Sequence, residues 1–306
     1  MKITLRQLEV FAAIASHGHV TRAAAAVAMT QSAASMALAD LEQQLGAALF
    51  DRVGRQLLLN DTGRLLLGPA RDVLDRARDI ETMARGETAE FDLHLGATVT
   101  IGNHLVPGLV ARLRRDYPNS RVRISRYNTE QLLAQVNSGQ IDLGFIEGPG
   151  GDDSIRRLTW RQDWLVIFAA PGHPLVGSGR APQTGAAPAI TPGRLSEADW
   201  IVRERGSGTR QVMDRALLAA GVKPRIAFEL EQPEAIRQCV KAGLGIGCLS
   251  ALELEDAFRA GTLVPLATPF LDMRRNLDVV LHRRKYLSRG IAAILQECGI
   301  DSHAEG

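Results

Sequence analysis

Two stretches of this chain carry side chains suited to holding a small anion. Thr98-Val99-Thr100-Ile101-Gly102-Asn103 offers two hydroxyls where a strand should turn into a helix, and Arg203-Glu204-Arg205-Gly206-Ser207-Gly208-Thr209-Arg210 repeats the arrangement with arginines added. Hydroxyls together with the free N–H groups of a helix start attract oxyanions. The candidate effector-binding residues are Thr98, Thr100, Ile101, Asn128, Glu147, Arg203, Ser207, Gly208 and Thr209. A plainer reading stands beside this one, because Thr100 and Ser207 are also residue types that simply cap helices. Glu147 closes the apolar run Ile141-Asp142-Leu143-Gly144-Phe145-Ile146 and should face the same place. A bare carboxylate beside an anion is costly. Glu147 is therefore either a structural partner for Arg203 or Arg205, or an acceptor for the proton of a protonated oxyanion.

A second set of residues suits nucleic acid. Thr30-Gln31-Ser32 opens a helical pattern that runs through Leu38, Leu41 and Leu45 and stops at Gly46, with Ser35 on its first turns. Thr30 or Ser32 can accept an N–H bond at the start, and glycine suits the residue after the end. The alanine-rich Thr21 to Val27 precedes it, so two short helices should pack closely across Ala28 and Met29. A long amide and hydroxyls at a helix start are what a major groove requires, although an ordinary antiparallel helix pair would share the pattern. Asp51-Arg52-Val53-Gly54-Arg55-Gln56-Leu57-Leu58-Leu59-Asn60 then reads as a glycine turn between two short strands, with an arginine on each side. The candidate DNA-binding residues are Arg22, Thr30, Gln31, Ser32, Ser35, Met36, Arg52 and Arg55.

The elements that position these residues follow in order. Leu5, Leu8, Phe11, Ala12 and Ala15 suggest one face of a first helix that ends near His17-Gly18-His19. After Asp61-Thr62-Gly63, Leu66, Ala70, Val73, Ala77, Ile80 and Ala84 form a heptad seam, read here as a dimerising linker helix. Pro69 fits a first turn or a mild kink better than a helix middle. Beyond the polar Gly86-Glu87-Thr88-Ala89-Glu90, strands and helices alternate, which argues for a parallel sheet. Leu93, Leu95 and Ala97 begin it, and a helix over 101–115 follows with Thr100 as its cap. A second such unit spans roughly Leu165 to Pro265, and Leu277 to Leu281 with a helix near Leu287 to Gln296 return to the first. Gly177 to Pro192 reads as a long surface loop.

Composition excludes several classes. The chain has 306 residues, enough for two or three cores, with 45% hydrophobic and 23% charged residues. No apolar run has the length of a membrane span and the N-terminus lacks a signal core, so a cytoplasmic protein without membrane attachment is expected. Cys239, Cys248 and Cys298 suggest neither a disulfide framework nor a zinc site, and His17 and His19 lack a third ligand. Gly206-Ser207-Gly208 lacks the preceding glycine of a nucleophile elbow, and Gly243-Leu244-Gly245-Ile246-Gly247 has the wrong spacing for a dinucleotide. No enzyme activity, metal or cofactor is expected. Net charge is only +2, so contact with DNA must rest on charge placement and on doubling by a dimer.

Leu5-Arg6-Gln7-Leu8-Glu9-Val10-Phe11, Thr21 to Ala28, Gln31-Ser32-Ala33, Leu41-Glu42-Gln43-Gln44-Leu45-Gly46 and Leu49-Phe50-Asp51-Arg52 together resemble the winged helix-turn-helix of LysR-type transcriptional regulators. The resemblance implies an all-α winged helix-turn-helix over 1–61, a linker helix over 62–90, and a two-lobed α/β effector domain, similar to periplasmic binding proteins, over 91–306. Lobe I would take 91–162 and 267–306, and lobe II 163–266. It also implies a homodimer through the linker helix, assembly to a homotetramer, and double-stranded operator DNA as partner. Thr100-Ile101-Gly102-Asn103, Phe145-Ile146-Glu147-Gly148-Pro149, Arg203 to Arg210 and Gly245-Ile246-Gly247-Cys248-Leu249-Ser250 resemble a sulfite-responsive branch, while a related branch binds sulfate. One departure is that Met36, rather than an arginine or histidine, follows Ser35.

Overall fold

The computed structural model describes residues 2–54, 56–85, 90–176 and 190–301. Arg55, the break at 86–89 and most of the expected loop at 177–192 lie outside the described residues. Helix α1 (Leu5–His17) begins with a reciprocal cap between Thr4 and Gln7 and ends at Gly18, whose φ of 68° only glycine adopts cheaply. Its buried face is Gln7, Val10, Phe11 and Ile14, while Leu5 is exposed. The expected face through Leu5 and Leu8 is thus rotated toward Val10 and Ile14, because α2 (Val20–Ala26) and α3 (Gln31–Leu45) pack on that side. Thr30 caps α3 by accepting from Ala33 N–H at 3.2 Å, and Gly46 ends it with a φ of 67°. The antiparallel strands β1 (Phe50–Val53) and β2 (Gln56–Leu59) form the wing. The Phe50 ring packs edge-on against Phe11 at 5.6 Å, and Leu57 N–H bonds Gly18 at 2.9 Å.

Helix α4 (Asp61–Arg85) is continuous, with Pro69 inside it rather than in the first turn. Leu67, Ala70 and Leu74 are buried, whereas Leu65, Val73, Ile80 and Met83 are exposed. One side of α4 is therefore covered by its own protomer, while Val73 and Ile80 of the heptad seam face outward.

The rest of the chain builds a single mixed sheet. Its strands are β3 (Asp92–Ala97), β4 (Arg121–Arg126), β5 (Leu143–Glu147), β6 (Ile155–Ala169), β7 (Asp199–Arg203), β8 (Arg225–Leu230), β9 (Ile246–Ser250), β10 (Val264–Pro265) and β11 (Arg274–His282). They run in the order β4-β3-β5-β11-β6-β9-β7-β8, with β10 paired to β6. The expected parallel pairing holds for β3 with β4 and β5, and for β7 with β8 and β9. The long β6 and β11 are antiparallel to their neighbours and join the two halves.

Helices α5 (Val99–His104), α6 (Val106–Asp116), α7 (Thr129–Asn137) and α12 (Arg289–Glu297) belong to the first half, and α8 (Pro192–Glu197), α9 (Gly208–Ala219), α10 (Pro233–Lys241) and α11 (Ala251–Arg259) to the second. The single helix expected over 101–115 is broken at Leu105, because Pro107 has no N–H to continue the ladder. Separate apolar cores follow, one around Leu95, Phe145 and Ile294 and another around Trp200, Met213 and Leu217. No described helix is long and apolar enough to cross a membrane.

Candidate effector site and nucleic-acid face

The first turns of α3 present Gln31, Ser32 and Met36 to solvent, with Ser35 half-buried beside them. Gln31 Nε2 donates to Ser35 Oγ at 2.9 Å, and the Thr30 and Ser32 hydroxyls lie 3.1 Å apart. The row is thus pre-ordered by its own hydrogen bonds. Thr30 Oγ1 also accepts the cap bond from Ala33 N–H, which leaves its proton and a second lone pair for other partners. Arg22 on α2 and Arg52 on the wing are exposed on neighbouring elements. Met36, 66% exposed, supplies an apolar contact where an arginine would supply charge. Ala28, in the turn between α2 and α3, takes a φ of 51°, a left-handed conformation that a non-glycine residue holds only when its surroundings demand it.

In the second domain Glu147 ends β5, fully enclosed. The Thr98 hydroxyl donates to its carboxylate, and Arg275 Nη1 lies 3.9 Å away. Burial pushes the Glu147 carboxyl above the usual carboxylate range, against the pull of Arg275, Thr98 and Arg203. Arg275 begins β11. It donates to Asp163 at 2.7 Å and to the Thr209 hydroxyl at 2.9 Å, and Ser250 Oγ donates to Asp163 at 2.9 Å.

The two halves touch here. The Thr129 hydroxyl donates to Glu147 O at 3.0 Å and accepts from Gly208 N–H at 3.2 Å, while Glu130 N–H donates to Gly206 O at 3.3 Å. Gly148 and Gly208 meet backbone to backbone, and a Cβ on Gly208 would lie 1.8 Å from Glu147 O. On the far side of α5, His104 Nε2 reaches Glu253 of α11 at 2.9 Å, which raises the imidazole pKa.

Among the described residues, two donors in this region have neither a hydrogen bond nor an ion pair, whereas Arg275 Nη2, also without a hydrogen bond, is ion-paired with Asp163 at 2.7 Å. Arg203 binds Glu204 through Nε at 2.8 Å and Nη2 at 3.0 Å, leaving Nη1 buried without a partner. Ser207 Oγ is also buried and unbonded, although Ser207 occupies the cap position of α9. Buried unsatisfied donors cost free energy and call for an acceptor. The plain cap reading therefore fails for Ser207. It fails for Thr100 as well, which sits inside the first turn of α5 with Thr98 at the cap position.

The structure brings Thr98, Glu147, Gly208 and Thr209 into one connected network, with Arg203 close enough to act on the Glu147 charge. Thr100 and Ile101 line the adjoining turn, both buried. Asn128 uses its oxygen to cap α7, accepting from Gln131 N–H at 2.9 Å, while its Nδ2 lies 3.1 Å from where a Cβ on Gly206 of the other half would sit, and the next residue, Thr129, bonds across the two halves. Arg205 is exposed, and the ion pair expected for Glu147 falls to Arg275 instead. No motif in the sequence singles out Arg275, Asp163 or Thr129. The one available signal was that Arg275 shares the two-residue alternation of Leu277, Val279 and Leu281, which puts an arginine at a core-facing strand position.

Comparison with known proteins agrees with both halves. The family "Bacterial regulatory helix-turn-helix protein, lysR family" matches residues 5–64, and "LysR substrate binding domain" matches 89–299. The uncharacterized HTH-type transcriptional regulator YeiE of Escherichia coli K12 is 43% identical over 298 residues, covering 97% of this chain and 98% of its own. The RuBisCO operon transcriptional regulator of Allochromatium vinosum is 31% identical over 295 residues, 96% of this chain and 94% of that one. Full-length OxyR C199D from Pseudomonas aeruginosa superposes with a TM-score of 0.77 at 22% identity, covering 99% of this chain and 96% of that one, which speaks for the shared fold. With a winged helix-turn-helix at one end and a two-lobed effector-binding domain at the other, the chain belongs to the LysR family of DNA-binding transcriptional regulators, which are not enzymes.

Proposed function

We propose that this regulator binds operator DNA as a homodimer joined through α4, assembles to a homotetramer, and responds to a small inorganic oxyanion held between lobe I (91–162 and 267–306) and lobe II (163–266). Sulfite is the leading candidate. The alternative is the same class of regulator responding to a different small organic or inorganic anion, such as a carboxylate or sulfate. Thr30, Gln31, Ser32, Ser35, Met36, Arg22, Arg52 and Arg55 would face the DNA, with residues 1–61 as the reading domain and 62–90 as the dimerising linker, acting in the cytoplasm.

The observation that carries the effector reading is the pair of buried donors, Arg203 Nη1 and Ser207 Oγ, that have no acceptor beside a carboxyl biased toward its protonated form. An oxyanion supplies acceptors for both, and a neutral Glu147 avoids a clash of like charges. Bisulfite titrates near neutrality and carries its own proton, so it can serve as donor to Glu147 when that group is ionised. The dimer reading is supported by an apolar groove of about 310 Å³ lined by Ile3, Leu5, Leu8, Leu45, Leu66 and Val73, next to the exposed stripe of α4.

Calorimetric titration of the full-length protein with sulfite, sulfate and thiosulfate tests the effector. Heat from sulfite that is lost in Ser207→Ala is expected, and absence of heat from all three ends the oxyanion reading. Mobility shift of the region upstream of the protein's own gene should show binding that weakens steeply with salt.

A further inference from the structure

A second cluster of charged groups, unused by the cleft, sits at the other end of β11. Three residues past its last residue, Lys285 is buried between Asp72 and Asp75 of α4, at 3.0 and 3.4 Å, and Asp142, just ahead of β5, at 3.0 Å. Burial opposes the ammonium charge, but Asp142, Asp75 and Asp72 outweigh it and hold Lys285 above the usual lysine range. The Tyr286 hydroxyl donates to Asp79 at 3.0 Å, and Arg289 N–H reaches the same carboxylate at 3.3 Å. Arg76 lies 4.5 Å over the Tyr286 ring. From α4, Arg71 donates to Gly139 O at 2.6 Å and to Ser16 Oγ of α1 at 3.0 Å. The backbones meet as well, since a Cβ on Gly139 would lie 2.7 Å from Gly68 Cα.

Buried charges of this kind are stable only when every partner is in place. The seat of α4 on lobe I is therefore one discrete arrangement, either made or released. The strand between the two clusters is hydrogen-bonded on both sides, to β5 and to β6, and covers roughly 20–25 Å from Arg275 to His282 at ~3.3 Å per residue. Its first end carries Arg275, which touches lobe II through Asp163, its neighbour on β6, and through Thr209 across the cleft, and lobe I through Glu147. From this juxtaposition we infer that β11 couples the two ends of the molecule: closure of the cleft onto Arg275 biases the seat of α4 held by Lys285 and Tyr286, and so sets where the DNA-reading helices lie. The inference rests on the cleft being the effector site. It supplies what coupling between distant sites requires, a packed element whose two-state equilibrium both ends can shift.

Hydrogen exchange of the α4 amides from Asp72 to Thr82, in the full-length protein, tests it. Because Lys285→Met strands three buried carboxylates, Tyr286→Phe, which removes a single hydroxyl, carries the latch arm. Thr209→Val removes the hydroxyl that accepts from Arg275 Nη1, leaves the Asp163 bond in place, and carries the cleft arm. Each variant is expected to speed exchange across α4 at least fivefold, and the double variant to exchange no faster than Tyr286→Phe alone. Exchange in α4 unchanged by Thr209→Val, or effects that multiply in the double variant, overturns the coupling. Saturating sulfite should slow α4 exchange in the parent and not in Tyr286→Phe. If sulfite gives no binding heat while the variants behave as stated, the anion assignment falls and the role of β11 stands.

Discussion

Replacing Gly208 by alanine tests whether the two lobes must close to hold an anion. The new Cβ would lie 1.8 Å from the Glu147 carbonyl oxygen and 2.8 Å from Thr129 Oγ1, both on the facing lobe. The nearer of the two is backbone and cannot swing aside. Ordinary contact begins at 3.4 Å, so the backbones must part by about 1.6 Å. The Gly208 N–H bond to Thr129, now 3.2 Å, then exceeds hydrogen-bonding range. An oxyanion gripped from both lobes loses at least one charge-assisted hydrogen bond by the same displacement. Such a bond contributes about 1.5–3 kcal/mol, which corresponds to a Kd weakened roughly 10- to 150-fold. Calorimetric titration with sulfite at fixed pH and ionic strength measures this. Gly193→Ala, whose Cβ meets nothing, is the control for the substitution itself. A Kd for Gly208→Ala within threefold of the parent would refute the reasoning that binding needs the closed contact.

Three further outcomes follow from the same geometry. Arg275→Met leaves Asp163 and Glu147 buried without their cation. The expected loss is about 3–5 kcal/mol, or about 6–20 °C in the melting temperature of the effector domain, and a drop under about 3 °C in calorimetry would contradict it. Sulfate, a dianion across the neutral range, isolates the Glu147 proton. Burial raises the pKa of this group and a bound anion raises it further, so affinity should fall as pH increases through that pKa, and Glu147→Gln should flatten the dependence. Ala28→Gly relieves a left-handed alanine in the helix-turn-helix and should stabilise the N-terminal domain by about 0.5–1 kcal/mol, read as a higher urea midpoint; a lower midpoint would show that the turn is held by packing that needs the methyl.

Signals confined to a few neighbouring residues survived folding intact. Thr30 and Gly46 bound α3 because a side-chain cap and a left-handed glycine act over one helical turn, whatever the rest of the chain does. The wing and the alternation of Leu93, Leu95 and Ala97 are similarly local. Pro107 is a local signal of the same kind, and it divides the first helix of the effector domain. What the sequence by itself determined is thus the reading helix, the order of strands and helices, and the two turns rich in hydroxyls that flank the cleft. The tertiary structure alone decided which charges share an enclosure. Arg275, Asp163 and Thr129 come from three separate elements, and whether an arginine meets a carboxylate in the core depends on where the antiparallel β6 and β11 cross between the lobes. The same holds for α4, whose exposed and buried sides both carry apolar residues. Periodicity marks that two stripes exist, and only packing against α1 and the wing assigns Leu67 and Leu74 to the inside and Val73 and Ile80 to the outside.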